Sequence, residues 1–374
     1  MRVLVVGGGI FGASAAFSLA REGAEVIVAD DSREGKATAA GAGIVCPWIT
    51  AEERPEFYQL LRGGRLYYDE LIPQLIEAGV SETGFKKVGG LAIAQNENEA
   101  AALERRIVPR VAEAPEAGGM SRLDDTTLKS LFPPLRQGLT AFHLPGGARV
   151  EARTVAAALF QAAKAKGAVI RSEPVSLSLD GNRVRARRGG EEIEFDRVLV
   201  TAGAWANEIL TALGVKIPVT PQKGQIIHLR LEGVDTADWP VVRPEGAYYM
   251  LAFEKGRIVV GATRETSSGF DYRVTAAGQA EVLNFALSLA PGLANASLLE
   301  TRIGFRPYRQ AMKPIISAVS GIDNLLLGNG LGASGLTMGP IAGDLLARLA
   351  LNLPVKFDLS HYRFESHEDA ARIA

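Results

Sequence analysis

The chain has 374 residues, of which 47% are hydrophobic and 22% charged, and its formal net charge is −1. This length predicts a large core and two domains, and the balanced charge gives no basic surface for nucleic acid or an anionic membrane. Beyond its glycine-rich start the sequence has no long uninterrupted apolar segment, so we predict no membrane-spanning helix. Without such a span we expect a cytoplasmic location. Because Cys46 is the only cysteine and the four histidines are scattered, we expect no disulfide and no metal site.

The chain begins with the pattern of a dinucleotide-binding unit. An apolar strand over 3–6 leads into Gly7-x-Gly9-x-x-Gly12, and a helix is predicted over 10–21. Gly7 permits a tight turn, Gly9 lets a pyrophosphate approach the backbone, and Gly12 lets the helix pack against the strand. The free N–H groups and positive dipole end of this helix are suited to hold phosphates.

A second strand over 24–29 ends at Asp30, about 20 positions past the glycines, where an acidic residue binds ribose hydroxyls. Arg33 could meet the 2′-phosphate of NADP, but the neighbouring Asp30 and Asp31 favour a solvated loop arginine. A signal peptide is the alternative interpretation, since Arg2 precedes an apolar run. We reject it because the run is rich in glycine and lacks a small-residue cleavage site.

The rest of the chain alternates between helices and strands. Helices are predicted over 57–78, 97–113, 122–132, 154–166 and 275–290. Strands are predicted over 87–94, 168–171, 195–201, 224–231, 247–253 and 258–261, with a hairpin of 175–179 and 183–187. A strand-rich middle between helix-rich ends predicts two domains that are interleaved in sequence.

A second glycine-rich loop is predicted near the C-terminal end of the sequence. The apolar stretch 325–327 leads into a turn with five glycines over 328–339, and a helix follows from about Pro340. This helix N-terminus could stabilise negative charge on the pyrimidine ring of a reduced flavin. A plain strand-to-helix turn is the alternative.

Taken together, these motifs resemble the family of flavin-dependent D-amino-acid, glycine and sarcosine oxidases and dehydrogenases. The resemblance is carried by Gly7-x-Gly9-x-x-Gly12 with Asp30, and by the segments 38–44, 147–150, 198–205, 221–225, 304–307 and 330–338. It implies an α/β fold with a Rossmann-like FAD-binding domain on a parallel sheet, formed by 1–87, 144–218 and 304–374. It also implies an α+β substrate domain on a large mixed or antiparallel sheet, formed by 88–143 and 219–303.

The chain departs from the family pattern in three places. The usual Thr/Lys-x-Asp-Gly after the Arg-Pro pair is replaced within 308–313, and a histidine of the last loop is replaced by Leu331. No cysteine stands where monomeric sarcosine oxidases attach their flavin. The resemblance therefore implies non-covalent FAD. The Thr337-Met338 ending is nearer to the D-amino-acid dehydrogenase branch.

Oxidation of an amine by hydride transfer depends mainly on positioning the substrate, and an arginine fork is the best clamp for its carboxylate. The resemblance assigns this clamp to Arg306, with Arg302 in reserve; an ordinary ion pair is the alternative. Tyr248 and Tyr249 are adjacent on a predicted strand and point to opposite faces. The resemblance places Tyr249 toward the substrate, although an aromatic core role is nearly as well supported for either tyrosine.

The resemblance also assigns the cofactor contacts, among which Trp205 could instead be a packing residue. The predicted FAD-binding residues are Gly7, Gly9, Ile10, Phe11, Gly12, Asp30, Asp31, Thr38, Ala42, Gly43, Ile44, Val175, Ala202, Gly203, Trp205, Arg306, Gly330, Gly332, Ala333, Ser334, Gly335, Leu336 and Thr337.

The predicted function is FAD-dependent oxidation of a small D-amino acid, or of a glycine- or sarcosine-like amine, to an imine that hydrolyses to a keto acid and ammonia. Oxygen or a quinone would reoxidise the flavin, and the chain could form a homo-oligomer. Two alternatives stay open. The first fingerprint alone would fit an NAD-dependent dehydrogenase, and the chain could be a non-catalytic FAD-binding subunit of a larger complex.

Overall fold

The computed structural model describes residues 1–310 and 313–364. Its helices are α1 (Ile10–Arg21), α2 (Ala37–Ala40), α3 (Pro55–Glu77), α4 (Glu97–Ala112), α5 (Asp125–Leu131), α6 (Ala152–Ala165), α7 (Ala206–Leu210), α8 (Ala276–Leu289) and α9 (Gly335–Ala350). Its strands are β1 (Arg2–Val6), β2 (Glu25–Ala29), β3 (Ile44–Val45), β4 (Phe85–Lys87), β5 (Gly90–Ala94), β6 (Ser121–Leu123), β7 (Thr140–Leu144), β8 (Ala148–Val150), β9 (Val169–Arg171), β10 (Ser176–Asp180), β11 (Arg183–Arg188), β12 (Glu191–Ile193), β13 (Arg197–Val200), β14 (Thr220–Arg230), β15 (Val241–Pro244), β16 (Tyr249–Ala252), β17 (Arg257–Gly261), β18 (Ser297–Tyr308), β19 (Ile315–Ala318) and β20 (Leu325–Asn329).

The first main sheet is the predicted parallel sheet, with the strand order β19-β20-β13-β1-β2-β9. Its strands run parallel except β19, which is antiparallel to β20. Val3 and Val5 of β1 pack in one core with α1, α6 and α9, whereas Leu4 and Val6 pack in another with β10 and β11. Both faces of the sheet are covered, which explains why β1 is continuously apolar.

The second main sheet is the predicted mixed sheet, with the order β18-β14-β17-β16-β15-β5-β7-β6. Its neighbouring strands are antiparallel except β15 and β5. Ile227 faces the core that includes α5 and α8, and Ile226 faces the opposite side, toward Ala42 and Tyr249. The α/β fold is therefore confirmed, while the boundaries of the two interleaved domains stay predictions.

Some local predictions were wrong, and one long strand was missed. The strand over 87–94 is two strands in different sheets, β4 and β5, separated by Gly89 at φ +81°. The helix over 122–132 is shorter, because 121–123 pair with β7 and Asp124 caps α5 by accepting a hydrogen bond from the Thr127 N–H at 2.7 Å. The 12-residue strand β18 was missed, since an extended backbone was expected only at Arg306, before Pro307.

Helix α9 begins at Gly335, five residues before the predicted start at Pro340. Proline cannot donate the N–H that the carbonyl of Leu336 would accept four residues earlier. The Tyr68 hydroxyl donates to that carbonyl instead, at 2.6 Å, so the helix continues through the proline. The Ser14 hydroxyl donates to the Pro340 carbonyl at 2.6 Å and joins α9 to α1.

Over 1–310 and 313–364, no helix combines the length and the apolarity that crossing a membrane requires. Within the same residues, no group of three or more His, Cys, Asp or Glu side chains is arranged to hold a metal ion.

Candidate active site

A cavity of about 770 Å³ lies where the carboxyl ends of β1, β2 and β13 meet the second main sheet. Its volume is within the range typical of small-molecule and cofactor sites. One end, which we call the dinucleotide end, is lined by the turn after β1, the residues after β2 and the loop before α9. The other end, which we call the arginine end, is lined by Arg243, Tyr249, Arg264 and Arg306.

The three glycines after β1 occupy the positions that their predicted roles require. Gly7 has φ +107°, and a Cβ there would stand 2.7 Å from the backbone of Thr201 and Ala202. A Cβ on Gly12 would overlap the Gly7 carbonyl oxygen. At Gly9 a Cβ would meet only the Thr38 hydroxyl at 3.3 Å, so the backbone there is open to the cavity.

Helix α1 presents an uncapped N-terminus to this cavity. Its N-cap residue, Gly9, supplies no side-chain hydrogen bond, and the first turn contains no acidic residue. The Ile10 N–H donates to the Thr38 hydroxyl at 2.9 Å. The free N–H groups that remain and the helix dipole suit an anion such as a pyrophosphate.

The acidic residue after β2 lies at the same edge because β2 runs parallel to β1. Asp30 accepts a hydrogen bond from the Ser32 N–H at 3.3 Å and forms an ion pair with Lys36. Arg33 forms ion pairs with Asp31 and Glu208. These contacts occupy the Arg33 guanidinium, in agreement with the interpretation that it is not a 2′-phosphate ligand.

The loop before α9 forms a second uncapped helix N-terminus on the cavity. Ser334 makes no capping hydrogen bond, and Gly330 and Gly332 have φ values of +76° and +52°. Asn329 joins this loop to the loop after β13, because its side-chain amide donates to the Gly203 carbonyl at 3.0 Å and accepts from the Gly330 N–H at 2.7 Å. Two such termini on one cavity fit a pyrophosphate and a reduced flavin ring.

The structure brings almost the whole predicted cofactor set to this cavity. Every predicted FAD-binding residue lines it except Gly12, which packs beneath the turn. Trp205 lines the cavity and also packs against Phe270, with ring centroids 5.0 Å apart, so a contact with the cofactor stays a prediction beside its packing role. Trp48, next to the lining residue Pro47, is fully buried in a core and does not itself line the cavity.

At the arginine end, Arg306 and Tyr249 lie together. The Arg306 guanidinium donates to the Thr263 carbonyl at 3.0 Å and to the Gln222 side chain at 3.3 Å. Burial lowers the pKa of Arg306, and burial raises the pKa of Tyr249 against the opposing effect of Arg306. Gly224 leaves room for the guanidinium, since a Cβ there would stand 2.5 Å from Arg306 Nη2.

Arg302 and Tyr248, two of the predicted substrate-site residues, do not line the cavity, which corrects their assignment. Arg302 forms an ion pair with Glu300 at 2.7 Å. Tyr248 points to the opposite face from Tyr249, where its hydroxyl donates to Glu281 at 2.6 Å and its ring stacks on Phe285.

Sequence reasoning missed Arg243 and Arg264, which line the arginine end, and it assigned no role to Gly224. One signal was available for Arg243: it interrupts the apolar stretch Val241-Val242-Arg243-Pro244, where a charge needs a partner or a ligand. Nothing in the sequence placed Arg264 beside it.

The comparisons with known proteins agree with this geometry. The profile of the family described as FAD dependent oxidoreductase matches residues 2–349. The crystal structure of iminodiacetate oxidase from Chelativorans sp. BNC1 superposes with a TM-score of 0.95 and 52% identity, covering 97% of this chain and 98% of that one.

Two further relatives are similar over nearly their whole lengths. An uncharacterised oxidoreductase, YurR of Bacillus subtilis (strain 168), is 45% identical over 96% of this chain and 97% of its own. Glycine oxidase of Pseudomonas aeruginosa is 31% identical over 93% of this chain and 94% of its own. The chain therefore belongs to the FAD-dependent oxidoreductase family, among its amine and amino acid oxidoreductases, and FAD is its cofactor.

Proposed function

We propose that this chain oxidises a C–N bond of a small amine that carries a carboxylate, with FAD as the electron acceptor. The observation that carries the proposal is the placement of Arg306 and Tyr249 in the same cavity as the dinucleotide cradle. Glycine oxidase and iminodiacetate oxidase, two of its relatives, are named for substrates of this kind. A D-amino acid, which the sequence predicted, is a narrower choice within the same class.

Arg306 and Tyr249 would hold the substrate carboxylate. A guanidinium can donate two parallel hydrogen bonds to a carboxylate, and these fix both the position and the orientation of the substrate. The hydrogen bonds to Gln222 and Thr263 hold the guanidinium in place before the substrate binds. Positioning of this kind is the main contribution that the reaction needs from the protein.

When bound, FAD supplies a two-electron acceptor for the hydride that leaves the substrate. The amine must be neutral, so its ammonium proton is first lost to water. The Cα–H bond then breaks with its electron pair, and the nitrogen lone pair forms the C=N bond. Water adds to the C=N bond, which is hydrolysed to a 2-oxo acid. The nitrogen leaves as ammonia from a primary amine or as an amine from a secondary one.

Acid–base groups of the protein contribute little at the arginine end. Glu52 also lines the cavity, but Arg54 forms an ion pair with it at 2.7 Å and holds the pKa of that carboxyl below its usual range. Burial raises the pKa of the Cys46 thiol to about 12. We therefore propose that the substrate amine loses its proton to solvent.

The proposal is tested by mixing the purified holoenzyme anaerobically with glycine, sarcosine, iminodiacetate and D-alanine. Bleaching of the flavin absorbance is scored first, and oxygen or quinone consumption second. Bleaching by at least one carboxylated amine, but not by its acid analogue without nitrogen, is expected. If none of these amines bleaches the flavin, the proposal fails and a non-catalytic FAD-binding subunit becomes the better interpretation.

A further inference from the structure

The side chains of Arg243 and Arg264, at the arginine end of the cavity, have no hydrogen-bond or ion-pair partner within 1–310 and 313–364. Other enclosed arginines of the chain do have such partners: Arg149 forms an ion pair with Glu254 at 2.7 Å, and Arg106 forms one with Glu245. A buried guanidinium without a partner is costly, so Arg243, which is largely buried and faces the cavity, points to a ligand. Arg264 is exposed to solvent and lines the same cavity.

The sheet places the two arginines on either side of Tyr249. Arg243 lies on β15, Tyr249 on the adjacent β16, and Arg264 follows β17, which pairs with β16. Val241 packs on the cavity side of the sheet and Val242 on the other, so Arg243 shares the face of Val241. Burial lowers the pKa of Arg243, and the nearby positive charge of Arg264 lowers it further.

The carboxylates adjacent to these arginines are bonded elsewhere. Glu245, two residues after Arg243, pairs with Arg106. Glu265, next to Arg264, accepts hydrogen bonds from Gln225 at 2.8 Å and Thr263 at 2.7 Å. The arginine end therefore has three guanidinium groups, and a substrate with a single carboxylate would neutralise only the charge of Arg306.

We propose that Arg243 and Arg264 bind a second carboxylate, so that the preferred substrate is an amine with two carboxylates. This inference rests on the proposed function, in which Arg306 and Tyr249 hold the first carboxylate. The second carboxylate could be carried by the nitrogen substituent, as in iminodiacetate, or by the Cα side chain, as in D-aspartate. Both sources present the same anion to the two arginines.

The test compares substrate pairs that differ by one carboxylate. Iminodiacetate is compared with sarcosine for the nitrogen-linked source, and D-aspartate with D-alanine for the carbon-linked one. The wild type should have the higher kcat/KM for the dicarboxylate of at least one pair. In Arg264→Gln, this preference should fall at least about tenfold, as for a lost charge-assisted hydrogen bond, while the monocarboxylate changes less than about twofold.

A binding measurement separates recognition from turnover. Thiodiacetate has the two carboxylates of iminodiacetate but no C–N bond, and (methylthio)acetate has one carboxylate; calorimetry with the holoenzyme gives both affinities. Arg264→Gln should weaken the binding of thiodiacetate at least about tenfold and leave the affinity for (methylthio)acetate nearly unchanged. Arg105→Gln, an exposed arginine that does not line the cavity, is the matched control and should change neither.

Arg243→Gln should have the same selective effect as Arg264→Gln, and Arg243→Lys should restore part of the preference. If Arg243→Gln fails to fold, the exposed Arg264 still decides the question. Equal losses for both members of each pair, or loss of FAD from Arg264→Gln, would overturn the inference. Failure of the wild type to oxidise any carboxylated amine would instead overturn the proposed function, while the thiodiacetate measurement would still report on the second site.

Discussion

Gly224 lies against the Arg306 guanidinium, and a Cβ built on it would stand 2.5 Å from Nη2 of Arg306. The two residues are not neighbours in sequence: they meet because β14 and β18 are paired, with Gln222 opposite Arg306. Gly224, to which the sequence assigned no role, thus leaves the space that the Arg306 guanidinium occupies.

Gly224→Ala should therefore displace Arg306 without removing it. We expect kcat/KM for carboxylated amines to fall about tenfold or more, mainly through KM, because the clamp contributes binding. FAD content should stay normal. In an Arg306→Leu background, Gly224→Ala should add almost no further loss; additive losses in this double-mutant cycle would show that the glycine acts independently of the arginine.

Arg306→Leu removes the clamp itself. A hydrogen bond to a charged group contributes roughly 1.5–3 kcal/mol, so kcat/KM should fall about tenfold to a hundredfold for carboxylated substrates. Amines without a carboxylate should lose little. The matched control is Arg302→Leu, on the same strand but paired with Glu300 outside the cavity, which should leave the kinetics near those of the wild type. Wild-type kinetics in Arg306→Leu would place the clamp elsewhere.

Local patterns were sufficient for the parts of the site that one segment forms. The turn after β1, Asp30 after β2 and Arg306 beside Pro307 each lie within a short motif, and all three line the cavity. The sequence could not show that Arg243 and Arg264 lie close together, because only the strand order β17-β16-β15 brings them to either side of Tyr249.

The misplaced elements have similar causes. The predicted start of α9 relied on the rule that proline begins a helix, and the Tyr68 hydroxyl, 268 residues before Leu336, supplies the hydrogen bond that the proline cannot donate. The choice between Arg302 and Arg306 also depended on tertiary contacts, since both lie on β18 and only Arg306 reaches the cavity.

The dinucleotide end predicts different outcomes for two substitutions. Gly9→Val places a branched side chain where the backbone is open to the cavity, so it should block the pyrophosphate and give flavin-free protein. Asp30→Ala removes only a ribose acceptor and leaves Lys36 unpaired, so it should weaken FAD binding while retaining measurable flavin. The ratio of flavin to protein absorbance after gel filtration measures both; a fully loaded Gly9→Val variant would contradict this site.

Non-covalent attachment of FAD predicts that acid precipitation releases all of the flavin into the supernatant. Cys46 lines the cavity, but its thiol is buried and its pKa is raised to about 12, so it lacks the thiolate that attacks a flavin. Cys46→Ser should keep the same flavin content and the same release. Yellow colour that remains in the wild-type pellet but not in the Cys46→Ser pellet would show a covalent bond at this residue.

His228 should make the stability of the protein depend on pH. Its ring is buried on β14 with neither nitrogen hydrogen-bonded within the described residues, and this burial lowers its pKa to about 4. The unfolded histidine has a pKa of about 6.5, so between these values the unfolded state binds more protons and stability falls as the pH falls. In His228→Leu, the decrease of Tm between pH 6.5 and pH 4.5 should be smaller than in the wild type. The exposed His361 provides the control, since His361→Leu should keep the wild-type decrease; identical pH profiles for the wild type and His228→Leu would contradict the assignment to His228.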